Sequence, residues 1–225
     1  SLYDELRVGD HFLGVGALKM APKKFQFGFF RSPAADASRA ALIKDVPSID
    51  YYVVGNHHIA GLNNRDFALL MSPHPLILEL SPTGHSRTLD VIPHEFRVLP
   101  LKSPATGPRS DEAMYREIEG LSIPVGLYGQ DQDDVLYLLT RQAGPQGDTI
   151  WRLFQIDVDK GHVVGSPMVL PTHAHHLTAV NTAENWYFFE RGVVSAAGNQ
   201  AIPSMMVISN ASIKARRLPV ECQNQ

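Results

Sequence analysis

The sequence predicts an all-β fold, a small β-propeller or propeller-like arc of four-stranded antiparallel units, and three observations predict it. Seventeen glycines and sixteen prolines punctuate the 225 residues. Between them stand short runs rich in Val, Ile, Leu, Phe and Tyr, which fit short strands better than long helices. The same order of strands and turns then recurs, with four strands in roughly 40–50 residues, the spacing of a propeller blade. A meander this small exposes two apolar faces, and packing blade against blade buries both while leaving only short edges. The competing architecture is a β-sandwich, which also uses many short strands.

The units are placed at 6–56, 57–100, 121–174 and 175–220. In the first and most divergent, Phe12–Gly16 and Phe25–Phe30 read as strands, with Arg39 to Lys44 beyond. In the second, His58–Leu62, the turn Asn63–Asp66, Phe67–Met71, Leu76–Leu80, the turn Ser81–Gly84 and a strand from Ser86 to Ile92 follow one another. The third holds Val125–Tyr128, Val135–Thr140 and Ile150–Asp157. Alternation along that last run puts Ile150, Arg152, Phe154 and Ile156 on one face and Trp151, Leu153, Gln155 and Asp157 on the other. It ends at the turn Asp159–Gly161, followed by Val163 to Pro171. The fourth unit reads as His176–Val180, then Asn181 to Asn185, Trp186–Glu190, Met205–Ser209, a short turn at Asn210-Ala211 and a closing strand from Ser212 to Leu218. Four blades of this length use most of the chain, so a four- or five-bladed ring and an open arc of a larger propeller both fit.

Residues 101–120 depart from the repeat. Lys102–Pro108 reads as a loop and Ser110–Ile118 as a short helix capped by Ser110. Such an insertion lands on one rim of the ring, where loops carry binding surfaces or serve as solvent-exposed ornament.

Composition excludes several classes. Twenty Lys and Arg against 23 Asp and Glu give a formal charge of -3, which argues against a nucleic-acid partner. No apolar run approaches the roughly 20 residues of a spanning helix, and Ser1–Glu5 does not read as a signal peptide. The single cysteine, Cys222, supports neither an internal disulfide nor a Cys-rich metal site. No Gly-x-Ser-x-Gly elbow occurs, and Gly14 and Gly16 lack the third glycine of a dinucleotide fingerprint. Cofactors are therefore expected to be none, the alternative being a divalent metal such as zinc or iron.

The residues that would hold that metal are His57, His58, His173, His175 and His176. Both groups precede the first strand of a unit, so in a propeller they would lie at the mouth of the central channel, and neutral imidazole is a common zinc or iron ligand. His173 and His175 share one face of an extended chain and His176 points to the other, so two at most from this group would reach one ion. The plainer reading is that these histidines close loops and bond to backbone at blade junctions. Glu79, Asp90, Glu95, Asp157 and Glu190 lie in or beside predicted strands, but nothing in the sequence brings two together as acid and base.

The run Trp186–Phe189 has aromatics on both faces and is expected to sit between neighbouring blades. Trp151, Tyr137, Tyr128 and Tyr51–Tyr52 are read as core in the same way, while an aromatic left at a rim would stack on a sugar ring. Lys23–Lys24 and Arg216–Arg217 read as solvent-facing turns and edge protection.

The function expected from these features is a non-catalytic protein-interaction domain that presents rim loops to a partner, within this chain or as part of a larger protein. One alternative is a metal-dependent enzyme or hydrolase centred on the channel-mouth histidines. The other is a carbohydrate-binding module using a rim aromatic.

Overall fold

The computed structural model describes residues 2–21, 24–36, 40–45, 58–70, 75–81, 83, 86–92, 96, 122–130, 134–144, 148–172, 174, 176–190 and 204–217. Four small antiparallel sheets form the blades of a four-bladed propeller. Blade 1 contains β1 (Leu2–Val8), β2 (His11–Ala21), β3 (Lys24–Pro33) and β4 (Ala41–Asp45). Blade 2 contains β5 (His58–Leu62), β6 (Arg65–Leu70), β7 (Leu76–Leu80) and β8 (Ser86–Leu89). Blade 3 contains β9 (Ile123–Gln130), β10 (Val135–Ala143) and β11 (Thr149–Asp157), with the two-residue strands β12 (His162–Val163) and β13 (Met168–Val169) both pairing with β11. Blade 4 contains β14 (Leu177–Asn181), β15 (Asn185–Glu190) and β16 (Ser204–Ser209). The expected 101–120 insertion, Tyr51–Tyr52 and Lys23 lie outside the described residues.

The alternation that predicts strands also sorts side chains between seams. In β11, Phe154 and Ile156 join the cluster shared with blade 2, where they meet Phe67, Leu69 and Ile77. Trp151 and Leu153, one residue out of phase, join the cluster shared with blade 4, where they meet Trp186 and Phe188. A third cluster packs Val8, Leu13, Val15 and Phe29 of blade 1 against Ile59, Ala68 and Leu78 of blade 2. Each seam is thus sheet on sheet, and a one-residue slip in register would turn its apolar set the wrong way.

Blade 4 differs from the expectation at its end. Ser212–Leu218 is read as a strand from the sequence, but the chain instead forms α1 (Asn210–Lys214) and a 3-10 turn at Ala215–Arg217. The cause is local. Ser209 keeps extended backbone while its side chain accepts from the Ser212 amide, an N-cap. Asn210 then fixes the start of the helix by donating through Nδ2 to the carbonyls of Thr182 and Ala183 at 3.0 and 2.8 Å. Ile213, fully buried, enters the seam between blades 3 and 4, and Gln155 Nε2 donates to its carbonyl at 2.9 Å. Among the described residues blade 4 therefore has three strands where the others have a fourth position filled.

Candidate functional site

The first strand of each blade faces the centre. β1, β5, β9 and β14 together line a cavity of about 750 Å³, within the size range of small-molecule pockets. Close approach of these strands depends on glycine at two positions. A Cβ at Gly129 would overlap the Gly61 carbonyl oxygen, and one at Gly61 would overlap the Val8 side chain. Polar residues of the lining are Arg7, His58, Asn64, Tyr128, Thr178 and Asn181. Its described residues include hydrogen-bonding groups, the Arg7 guanidinium and the His58 imidazole but no carboxylate. They do not assemble the acid–base pair that glycoside hydrolysis uses.

At one mouth of this cavity the turns joining first and second strands form a rim. Blade 2 turns through Asn63 and Asn64, both at positive φ (48° and 61°), and blade 3 through Asp134 at 50°. Asn and Asp tolerate this left-handed backbone better than other side chains. Successive hairpins are tied together from blade 1 through blade 4. Asn64 sits against Gly9 of blade 1, and Asn63 Nδ2 donates to Asp134 across the boundary between blades 2 and 3. Asn181 Nδ2 donates to the Gly129 carbonyl at 2.9 Å, joining blades 3 and 4. Beside it Gln130 Nε2 reaches the Thr182 carbonyl at 3.4 Å.

The outer part of the same rim carries ion pairs. Arg65 donates to both Glu79 oxygens at 2.8 and 3.0 Å and to Asp159 of blade 3 at 2.7 Å, and these anions hold its guanidinium even more firmly protonated than usual. Arg87 donates to the Val158 carbonyl.

A further cluster escaped the sequence reading. His11, on β2, is buried, with Nε2 2.7 and 2.9 Å from the two oxygens of buried Asp66 on β6. Arg31, on β3, donates to His11 Nδ1 at 2.8 Å and its Nε lies 3.6 Å from Asp66. Asp10 also lies 3.2 Å from Nδ1, with its side chain 98% exposed. Nδ1 cannot accept from Arg31 and donate to Asp10 at once. The Arg31 contact is the shorter and better shielded of the two, and on the other side of the ring Nε2 faces both oxygens of Asp66. The triad is a polar staple between blades 1 and 2. Its members are 20 and 55 residues from His11 in sequence, so no local spacing announces it.

The five predicted histidines fare differently. His58 begins β5 and lines the cavity. His176 is exposed just before β14 and is not part of the lining. His57, His173 and His175 lie outside the described residues. Among the described residues no three His, Cys, Asp or Glu side chains converge as metal ligands would.

The acidic candidates serve local structure. Glu79 pairs with Arg65, and Glu190 contacts Ser204, whose hydroxyl holds its carboxyl below the usual range. Asp157 accepts from the amides of Asp159 and Lys160 in the turn after β11, and these bonds lower its pKa, the Lys160 amide most. Asp90 is exposed, and Glu95 lies outside the described residues.

Both tryptophans are buried, with Trp151 Nε1 donating to the Ala174 carbonyl at 2.7 Å, so neither offers a stacking face to a sugar. The run Trp186–Phe189 is split: Trp186 and Phe188 fill a seam as expected, but Phe189 is 42% exposed on the opposite face. The expectation of a partner blade on both faces fails on that side among the described residues. Arg216 is exposed beyond α1.

Among the described residues no helix is long and apolar enough to cross a membrane. No family model matches the chain, and no curated protein matches it.

Proposed function

We propose that this propeller is a non-catalytic protein-interaction domain whose binding surface is the rim of first-hairpin turns around the cavity mouth. The observation that supports this reading is the series of side-chain contacts linking the first hairpins of the four blades in succession through Asn64, Asn63–Asp134 and Asn181–Gly129. Turns already held in one arrangement lose little freedom on binding, so more of the contact energy appears as affinity. Asp10, Asp134 and Glu184 are exposed on these turns, which suits a partner surface bearing Lys or Arg.

The test uses the double variant Ala183→Arg plus Glu184→Arg, two exposed positions in the β14–β15 turn. Proteins captured from a lysate by the wild type and lost by the variant would be purified and titrated against both by calorimetry. The expected result is a stoichiometric complex that the variant weakens at least about tenfold, about 1.4 kcal/mol, at unchanged melting temperature. If capture is indifferent to these substitutions and to a matching Asp10→Arg, the rim is not the binding surface.

A further inference from the structure

The walls of the central cavity are built from strand edges. In their sheets β1, β5, β9 and β14 each occupy an end position, paired with one neighbour only among the described residues. The other edge of each strand borders the cavity, and such an edge carries a row of backbone N–H and C=O groups. Walls of this kind favour a ligand with many hydrogen-bonding groups over an apolar one. A volume of about 750 Å³ holds a small molecule.

Two side chains add more definite chemistry to these walls. Arg7 on β1 is exposed, and its Nε donates to the Gly9 carbonyl at 3.3 Å. That bond ties the guanidinium to its own turn beside the cavity and leaves its two terminal nitrogens without a partner among the described residues. Glu5, on the same face of β1, is not part of the lining. On β9 the Tyr128 hydroxyl lies over Gly126, so close that a Cβ at that position would overlap it. The aromatic seam fixes the ring, which meets buried Trp186 edge-on with centres 5.2 Å apart. Glycine at 126 therefore gives a firmly held hydroxyl its place on the cavity wall.

We propose that the cavity binds a small hydroxylated carboxylic acid of the uronic or aldonic acid class, with its carboxylate on Arg7 and its hydroxyls on Tyr128, Thr178, His58 and the strand edges. The guanidinium fork matches a carboxylate in shape and donates two parallel bonds to it. Charge then selects among anions. Arg7 offers one positive charge, which one carboxylate balances. A phosphate dianion brings a second charge that no Lys or further Arg of the described lining meets. Hydroxyl and imidazole groups both donate and accept, as the hydroxyls of a sugar acid require. This site does not depend on the rim reading, because the acid sits inside the ring and a protein partner sits on its turns. Arg7 is open to water, so the affinity is modest, with a dissociation constant on the order of 1 mM.

Ligand-observed NMR of the whole chain tests this, with glucuronate, gluconate, glucose and inorganic phosphate as separate probes titrated to about 20 mM, well past that dissociation constant. Glucuronate or gluconate should bind saturably, and glucose, which lacks the carboxylate, at least about tenfold more weakly. Arg7→Met, at an exposed site, should melt with the wild type and weaken binding at least about tenfold. Tyr128→Phe keeps the ring on Trp186 and should weaken it about threefold. Arg216→Met, which removes an exposed arginine outside the cavity, should change nothing. Failure of both acids to bind overturns the proposal. So does glucose binding as tightly as the acids, phosphate binding more tightly than they do, or binding that survives Arg7→Met.

Discussion

The seam between blades 1 and 2 and the seam between blades 3 and 4 join sheets in the same way but are cemented differently. The first packs mainly aliphatic side chains, Val8, Leu13, Val15 and Ala68, around the single aromatic Phe29, beside the His11–Asp66–Arg31 triad. The second is aromatic. Trp186 meets Tyr137 and Tyr128 edge-on, with ring centres 5.1 and 5.2 Å apart, and stacks on Phe188 at 5.8 Å. Apolar packing is tolerant of rearrangement and gains energy in proportion to area. A buried polar triad adds little net stability over an apolar substitute, but it is costly to break and accepts one geometry only. The two seams thus separate two demands that any ring of blades makes, cohesion and register.

The largest expected effect is in the aromatic seam. Trp186 is fully buried, and Trp186→Ala should lower unfolding free energy by about 3–5 kcal/mol, read as a shifted urea midpoint. Its Nε1 has no hydrogen-bond partner among the described residues, so Trp186→Phe sacrifices volume without orphaning a partner. That variant should recover more than half of the loss. If Phe behaves no better than Ala, the indole nitrogen matters and the seam is not purely apolar.

In the polar seam, Asp66→Ala should cost about 3 kcal/mol, because it leaves Arg31 and His11 partly buried without their acceptor. The exchange Asp66→Leu together with His11→Leu and Arg31→Leu removes the whole triad and should cost less than Asp66→Ala alone. A triple variant at least as unstable as the single one would mean that the charges supply cohesion, erasing the contrast between the seams.

This contrast also marks how far the sequence could be read. The aromatic seam was legible because it is periodic: Trp151 and Leu153 alternate with Phe154 and Ile156, and both faces found their blades. Repetition likewise exposed the blades, since each is a local meander. The triad was not legible, because it joins three strands through side chains distant in sequence. The end of blade 4 was misread for a different reason. Recurrence of four strands predicts a fourth strand here too, whereas the cap at Ser209 and the burial of Ile213 set a helix. Of the five histidines singled out for the site, His58 alone is shown lining the cavity, while the rim contacts come from asparagines read merely as turn formers.

The smallest expected effect concerns a turn of blade 3, outside both seams. Asp157 ends β11 and accepts from the amides of Asp159 and Lys160 at 3.1 and 3.0 Å, with Lys160 Nζ at 3.0 Å. These bonds favour the carboxylate and hold the folded pKa below that of an unfolded aspartate, which titrates near 3.9. A depressed folded pKa contributes stability that is complete above the unfolded value and disappears as pH falls through the folded one. Asp157→Asn should therefore destabilise the chain at pH 7 by about 1 kcal/mol, and the gap from the wild type should shrink below about pH 4. Added salt should remove only the small share owed to the exposed Lys160 pair, because the amide bonds are short-ranged. Thermal melts of both proteins from pH 7 to pH 3, with and without salt, separate these contributions. A gap that stays constant down to pH 3 would show that the turn needs the shape of Asp157 rather than its charge.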